Sequence, residues 1–586
     1  MPFDVKKILA ELAENNPAEE GLPRWLEESW EDPDGFAAAL ASAWPGRGMT
    51  FKSRTGQFID FFQDFIARHA STDLIALRTW EKTKGWQTLS YRQLQEQGAR
   101  RASAWAQQGV KPGARVCLLY HPGPELLISL AAGLGLGACI SFLQPQGWSF
   151  VLRRLTLLGP DHIASEPHQR PLLQEFDELL LDNRRPPTAF SSYAYKPAEP
   201  VGMIFSPLAN PTDEPMPLTA ADAWRSALVD GLLTFDVGPG EHLAAPGFHA
   251  RQHLPALLFS TLLRGATFLH LEHADVVAKP SLLLEHPIRA LGVTAELRDA
   301  LMDKGLSLQK VGHWFRNPEE PLDWQRWRDW VDQCELSEVP TSNVLVDPAA
   351  GGAVLCSPRR IGADPAQASQ RRKAAIHTQA YPAPGRKWTL KDGFHDWSLK
   401  NLAMSGQDSS TNVGLFSLLP LKGRPPPYIL LSRLRGQYHY AATLDSRKEG
   451  RVYLTAELNE ALEALTSHCG TSVLTVPTSM AGRHRQVLLV FTGALPPEEA
   501  ATEQQLRRRI EQQLGPDHLP DIIEFFPLYP RRKKAKPDHP WCHSQFLTGA
   551  LHRKSDDALF QALTAVRGHI LEKAAEPGDD EPASPP

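Results

Sequence analysis

Two stretches of the sequence hold residues whose types and spacing bear on phosphate chemistry. The first is Val201 to Ala220, VGMIFSPLANPTDEPMPLTA. Val201 to Phe205 reads as a short buried strand, and Leu218-Thr219-Ala220-Ala221-Asp222 as the capped start of a helix, with a loop between them. A phosphate-cradling loop needs glycines, so that several backbone N–H groups can turn toward one anion, and a lysine to meet the charge. Here Pro207, Pro211 and Pro215 supply no N–H and fix φ, while Asp213 and Glu214 add negative charge. Such a loop repels a triphosphate; the plainer alternative is a proline-rich surface loop. The second stretch, Arg531-Arg532-Lys533-Lys534-Ala535-Lys536, follows Pro530 and is densely cationic.

The elements around these stretches follow from composition and periodicity. At 586 residues the chain is long enough for three or four domains. A net charge of -5 gives no electrostatic case for nucleic acid or an anionic membrane. The six cysteines, at 117, 139, 334, 356, 469 and 542, form no CxxC pair and read as free thiols of a reducing, cytoplasmic setting. No metal site is expected, Cys542-His543 being only a dipeptide. The opening MPFDVKKILAELAENN lacks the apolar core of a signal peptide. The uncharged run Leu126 to Leu143 is interrupted by Gly133, Gly135 and Gly137 and is expected to be a buried helix and strand, with no membrane span. Two short amphipathic segments, Val5 to Glu14 and Leu22 to Trp44, either pack onto the main body or dock a partner. From Leu89, LSYRQLQEQGARRASAWAQQGVKPGARVCLLYHPGPELLISLAAGLGLGACISFLQP spaces Leu94, Ala99, Ala102 and Trp105 as a helix, stops it at Gly109 to Gly113, and continues as strand, helix, strand. Alternating strands and helices predict a parallel, doubly wound sheet.

This block resembles the N-terminal half of the adenylate-forming superfamily (acyl-CoA synthetases, fatty-acyl-AMP ligases, peptide-synthetase adenylation domains), where LSYRELxxxAxxLAxxLxxxGVxPGDRVAL is usual. The resemblance extends over about residues 58 to 545. It implies an α/β fold: a large N-terminal domain of doubly wound sheets with a β-rich subdomain, and a small α+β C-terminal domain. The expected divisions are an N-terminal helical extension at 1–55, the large domain at 56–435 with its β-rich part at about 357–435, a lid-like domain at 436–550, and an extra helix with an acidic tail at 551–586.

Placed on the family's pattern, the functional positions are mostly altered. The family's loop reads TSGSTGxPK before LTH; counted back from Leu218-Thr219, its first Thr falls on Ser206, its glycines on Leu208 and Pro211, and its lysine on Glu214. The family's YGxTE, whose Thr and Glu help hold phosphate and magnesium, falls on Val346-Asp347-Pro348-Ala349-Ala350, so both polar ligands are alanines, Ala349 and Ala350; Asp347 offers a carboxylate only from a shifted position. The ribose aspartate expected shortly before Gly436 is missing from PPPYILLSRLRGQ. Asp445 stands at the hinge, although Thr443 replaces an Arg beside it. Pro246-Gly247-Phe248-His249 resembles PxFH, which makes Phe248 and His249 candidates for an acyl-pocket wall; a histidine capping a buried strand end is the competing reading for His249. Alignment on Pro530 puts Lys536 on the catalytic lysine.

If each missing contribution were worth about 2–4 kcal/mol, their joint loss would slow adenylate formation by several orders of magnitude. The expectation is therefore a silent member of this fold that binds an acyl ligand, a carrier protein or a biosynthetic enzyme, with no cofactor. The alternatives are an active acyl-AMP or acyl-CoA ligase using ATP and Mg2+ through rebuilt contacts, and a purely structural subunit.

Overall fold

In a computed structural model the chain is described over residues 3–5, 7–8, 24–43, 58–145, 148–183, 189–205, 215–248, 250–318, 324–357, 381–386 and, in shorter pieces, 388–542. By its internal contacts it divides into two compact units. The first comprises Met1–Pro145, Val151–Leu399 and Asp408–Asp445, and the second Gln146–Phe150, Lys400–Gln407 and Ser446–Pro586.

The N-terminal segment packs onto the first unit. Helices α1 (Arg24–Glu31) and α2 (Pro33–Ala43) bury Leu26, Phe36 and Leu40, and Phe36 stacks on Trp25 with 6.0 Å between ring centroids. Three polar contacts fix the pair. Trp30 Nε1 donates to the Pro382 carbonyl at 3.2 Å, the Gly385 N–H donates to Ser29 Oγ at 3.1 Å, and Arg225 is ion-paired with Asp34. Within the second of the two amphipathic segments, Leu22 to Trp44, both described helices pack onto this unit; most of the first, Val5 to Glu14, lies outside the described residues.

Strands β1 (Ile75–Glu81) and β2 (Gly85–Ser90) form a hairpin, and Ser90 then caps α3 (Tyr91–Ala106) through a reciprocal box with Gln93. Next come β3 (Arg115–Leu119), α4 (Pro124–Gly135), β4 (Cys139–Leu143), β5 (His162–Ser165), β6 (Pro200–Ile204), β7 (Met216–Thr219) and α5 (Ala220–Val229). The sheet order is β5-β3-β4-β6-β7, parallel except for β7. Helix α4 is buried from Leu126 to Gly135 and lies against α3 at small residues: a Cβ on Gly98 would sit 2.7 Å from that of Ala131. The apolar run read from the sequence is thus the interior of a globular unit. Among the described residues no helix is long and apolar enough to cross a membrane.

The larger sheet contains β8 (His242–Ala244), β9 (Thr267–His270), β10 (Ala290–Gly292), β11 (His313–Arg316), β12 (Thr341–Asp347), β13 (Gly352–Cys356) and β14 (Tyr381–Pro382), in the order β14-β13-β12-β11-β10-β8-β9-β1-β2. Strands β12, β11, β10, β8, β9 and β1 run parallel to one another. A separate antiparallel sheet is built from β15 (Trp388–Trp397), β16 (Thr411–Leu418), β17 (Tyr428–Leu434) and β18 (Gln437–Thr443), the β-rich part expected from the sequence.

In the second unit, β19 (Arg447–Lys448) and β20 (Arg451–Val452) pair, and β21 (Gly470–Pro477), β22 (His484–Phe491) and β23 (Ile522–Phe526) form a three-stranded sheet. Helix α6 (Glu499–Leu514) connects β22 to β23 and buries Thr502, Leu506, Ile510 and Leu514, one face at i, i+4 spacing. A last hairpin joins β24 (Arg532–Lys533) to β25 (Lys536–Pro537).

Candidate functional site

In open parallel sheets a ligand sits outside the carboxyl ends of the strands. In the large sheet those ends carry Asp347 (β12), Arg316 (β11), Gly292 followed by Thr294 (β10), and the turn Ala245 to Phe248 after β8.

At the end of β12 the chain makes a tight turn, Pro348–Ala350, and returns as β13. Ala350 is buried, and its carbonyl accepts from Arg386, which is itself buried and also donates to the Ala353 carbonyl and, at 2.9 Å, to Ser226 Oγ. The counter-charge is Asp230, 1 % exposed, whose carboxylate lies 3.4 Å from the guanidinium and accepts from the Ala353 N–H at 2.8 Å and Thr234 Oγ1 at 3.2 Å. Asp230 begins a π-helical turn that prolongs α5. Gly352 leaves room for the pair, since a Cβ there would fall 1.9 Å from Asp230 Oδ2. Burial raises the Asp230 carboxyl to about 6 against the pull of Arg386 and its hydrogen bonds. Burial likewise lowers Arg386, opposed first by Asp230 and more weakly by Asp222 and the buried Asp347. Arg316 is also turned inward, its guanidinium carbon 5.2 Å from the Trp327 ring centroid.

Beyond β8 and β10 the rim is aromatic. Phe248 packs on Phe315 at 5.4 Å and edge-on to the buried His253 at 4.7 Å. Only a glycine at 292 permits this, because a Cβ would lie 2.9 Å from Phe248 and 3.0 Å from Phe315. Gly247, at φ +87, brings the turn against Thr294 and His273, and His273 Nε2 lies 3.3 Å from a Glu296 carboxylate oxygen. An apolar wall ending in a polar rim can hold an apolar chain with a polar terminus.

Residues 62–154 match the family described as AMP-binding enzyme. Acetoacetyl-CoA synthetase from Streptomyces lividans superimposes with a TM-score of 0.58 at 16% identity, over 94% of this chain and 95% of that one. A fatty acyl-adenylate ligase from L. pneumophila, solved with acyl adenylate and pyrophosphate, gives 0.58 at 11% identity, over 83% and 96%. An artificially fused adenylation-PCP di-domain from Klebsiella oxytoca gives 0.59 at 11% identity, over 80% and 94%. No curated protein matches. The fold is that of the adenylate-forming enzymes.

On that fold the sequence-derived positions fall as follows. Ser206, Leu208, Pro211, Glu214, His249 and Asp445 lie outside the described residues. The loop carrying the first four is flanked by the antiparallel strands β6 and β7, and Thr219, expected at a helix start, ends β7 and caps α5 by accepting from the Asp222 N–H at 3.1 Å. Ala349 and Ala350 occupy the turn after β12, and Phe248 the aromatic wall. Lys536 opens β25, and its side chain lies outside the described residues. The structure thus brings Ala350 together with Asp230 and Arg386, two residues that motif reading missed. The available signals were one acid inside the apolar stretch ALVDGLLTF and an arginine directly after Pro-Ala-Pro-Gly. Among the described residues no group of three or more His, Cys, Asp or Glu is placed to hold a metal.

The nucleotide and magnesium implied by this fold do not fit the corner at Ala350. A divalent cation needs oxygen ligands carrying charge. The alanine side chain supplies none, its carbonyl is engaged by a guanidinium, and Asp230 is committed to that same guanidinium.

Proposed function

We propose that the chain binds an acyl group delivered by a carrier protein and does not activate it with ATP. The observation that carries this reading is the Ala350–Arg386–Asp230 corner, where a neutral, self-satisfied ion pair stands behind the position of a metal-holding acid. The loop at 206–214 supports it by composition, with Leu208 and Pro211 in place of glycines, Glu214 in place of the lysine, and Pro207 and Asp213 beside them. The aromatic wall of Phe248, Phe315 and His253 supports an apolar ligand. A carrier as the source of that ligand is supported by the adenylation-PCP di-domain among the similar structures.

Titration calorimetry of the full chain with ATP and magnesium tests the first half, with no heat expected at millimolar nucleotide for either the native protein or Ala350→Glu. Carboxylate-dependent exchange of pyrophosphate into ATP, lost in Lys536→Ala, would overturn the reading in favour of an active ligase. Binding of octanoyl-pantetheine, weakened in Phe248→Ala, tests the second half.

A further inference from the structure

We infer that the N-terminal helix pair α1–α2 is a strap that seats Arg386 and keeps the corner at Ala350 closed. Release of that strap is the step that opens the corner. The inference rests on the reading of the corner given above and names what holds it shut.

Helices of 8 and 11 residues are marginal alone and keep their form through what they touch. These two touch both elements that supply the buried pair. On one side is the segment 382–386. Its Ala383 N–H donates to the Val354 carbonyl of β13 at 3.0 Å, while the Pro382 carbonyl and the Gly385 N–H are met by the strap, the first by Trp30 Nε1 at 3.2 Å and the second by Ser29 Oγ at 3.1 Å. Ser29, Pro382 and Gly385 are all buried, so these backbone groups depend on the strap and not on water for their partners.

On the other side is α5. Asp34 of α2 is ion-paired with Arg225, which also pairs with Asp222 in the first turn of α5. Between the two sides lies Gly385, at φ +68, where a Cβ would fall 3.1 Å from Val229 and 3.3 Å from Phe36. The left-handed turn there sets the direction in which Arg386 leaves. Arg386 is the next residue after Gly385, and Asp230 the next after Val229. Each half of the ion pair therefore follows directly on a residue of the Phe36–Gly385–Val229 layer. Ser29 and Trp30 are positioning residues, acting on Arg386 through the backbone that carries it.

Without the strap the segment keeps its pairing with β13 at its start, Pro382 opposite Leu355, and loses its hold at Gly385. Opening then begins beside Arg386 and draws it from the Ala350 and Ala353 carbonyls. The outer edge of the strap is its weak place. The Asp34 side chain is 85 % exposed, and an ion pair so placed contributes little and is screened by salt.

The experiment modifies the full chain with phenylglyoxal, which is selective for arginine, and reads each site by peptide mass spectrometry. Arg386, 7 % exposed, is expected to be protected in the native chain, whereas Arg92, whose side chain is 58 % exposed, reacts freely. The central variant is Ser29→Ala with Trp30→Phe, which removes both hydrogen bonds and keeps the apolar bulk. In it the rate at Arg386 is expected to rise about tenfold. Arg264, 1 % exposed and donating to the Val237 carbonyl, is expected to stay protected. Asp34→Asn is expected to give a smaller rise at Arg386, and added salt to do the same to the native chain. Gly98→Val loosens the same unit away from the strap and is the control for general destabilisation. Arg386 equally protected in the native chain and the double variant overturns this inference and leaves the reading of the corner standing. A rise shared by Arg264, or equalled in Gly98→Val, shows general loosening and overturns it as well. Arg386 as reactive as Arg92 in the native chain overturns both the inference and the closed corner on which it rests.

Discussion

Helix pair α3–α4 and the corner around Ala350 belong to the same compact unit and pack by different means. At the helix pair, Gly98 against Ala131 lets two backbones approach until apolar surface is excluded from water, Gly133 makes room for the Ile140 side chain of β4, and the polar work is left to the Ser90 cap. At the corner the close approach of Gly352 makes room for a charge pair: Arg386 donates to Ser226 and to the carbonyls of Ala350 and Ala353, and Asp230 accepts from the Ala353 N–H and faces the guanidinium. The matched family segment, 62–154, covers the first region and not the second. The contrast teaches that one compact unit can be held in one place by close apolar packing and in another by a buried charge pair that satisfies its own polar groups.

The largest test of that contrast removes one partner of the buried pair. Arg386→Met leaves Asp230 charged and unpaired and is expected to cost about 3–5 kcal/mol in urea unfolding. The double variant Arg386→Met with Asp230→Leu is expected to recover most of the loss, because a buried ion pair replaced by apolar groups of similar volume is often neutral. A single variant that loses less than about 1 kcal/mol would show that the corner is held by something other than this pair.

The pair also leaves a pH signature. Asp230 has its carboxyl raised from 3.8 to about 6 by burial, so between those values the folded protein binds more protons than the unfolded chain. Its contribution is therefore fully present below pH 3.8 and is lost as pH rises to about 6. Measured against Asp230→Asn at each pH, the relative stability of the native chain is expected to fall by roughly 3 kcal/mol over that window and to stay level above it. A rise over the same window would mean that Arg386 outweighs burial.

The helix pair should respond to volume and not to pH. Gly98→Val places a side chain where a Cβ already lies 2.7 Å from Ala131 and is expected to cost about 1–3 kcal/mol, with no change in pH profile. A shift in profile would mean that the two regions are coupled.

How far each region was legible follows from the range of its interactions. Helix α3 and the strand, helix and strand that follow it, β3, α4 and β4, were read correctly because their apolar spacing and the glycine stop between them are local properties of the sequence. Strand β7 was not read. It lies at the edge of its sheet and pairs only through β6, and Pro217, tolerable at an edge, argued locally against a strand. The Asp230–Arg386 pair was illegible for the same reason on a longer scale: 156 residues separate the partners, and neither segment alone specifies a partner for its charge. The substitutions at Ala349 and Ala350 could be read by register, but what satisfies the Ala350 carbonyl could not.

The smallest test compares two helix caps that do the same work in the two regions. Ser90 accepts from the Gln93 N–H at 3.1 Å at the start of α3, and Thr219 accepts from the Asp222 N–H at 3.1 Å at the start of α5. Either residue changed to alanine is expected to cost about 1 kcal/mol if the cap alone is lost. Helix α5, however, runs on into the turn that holds Asp230 and presents Ser226 to Arg386, whereas α3 carries no such load. A cost for Thr219→Ala well above that for Ser90→Ala, abolished in the Arg386→Met, Asp230→Leu background, would show that the start of α5 is read out at the buried pair. Equal costs in both backgrounds would confine the pair's influence to its own corner.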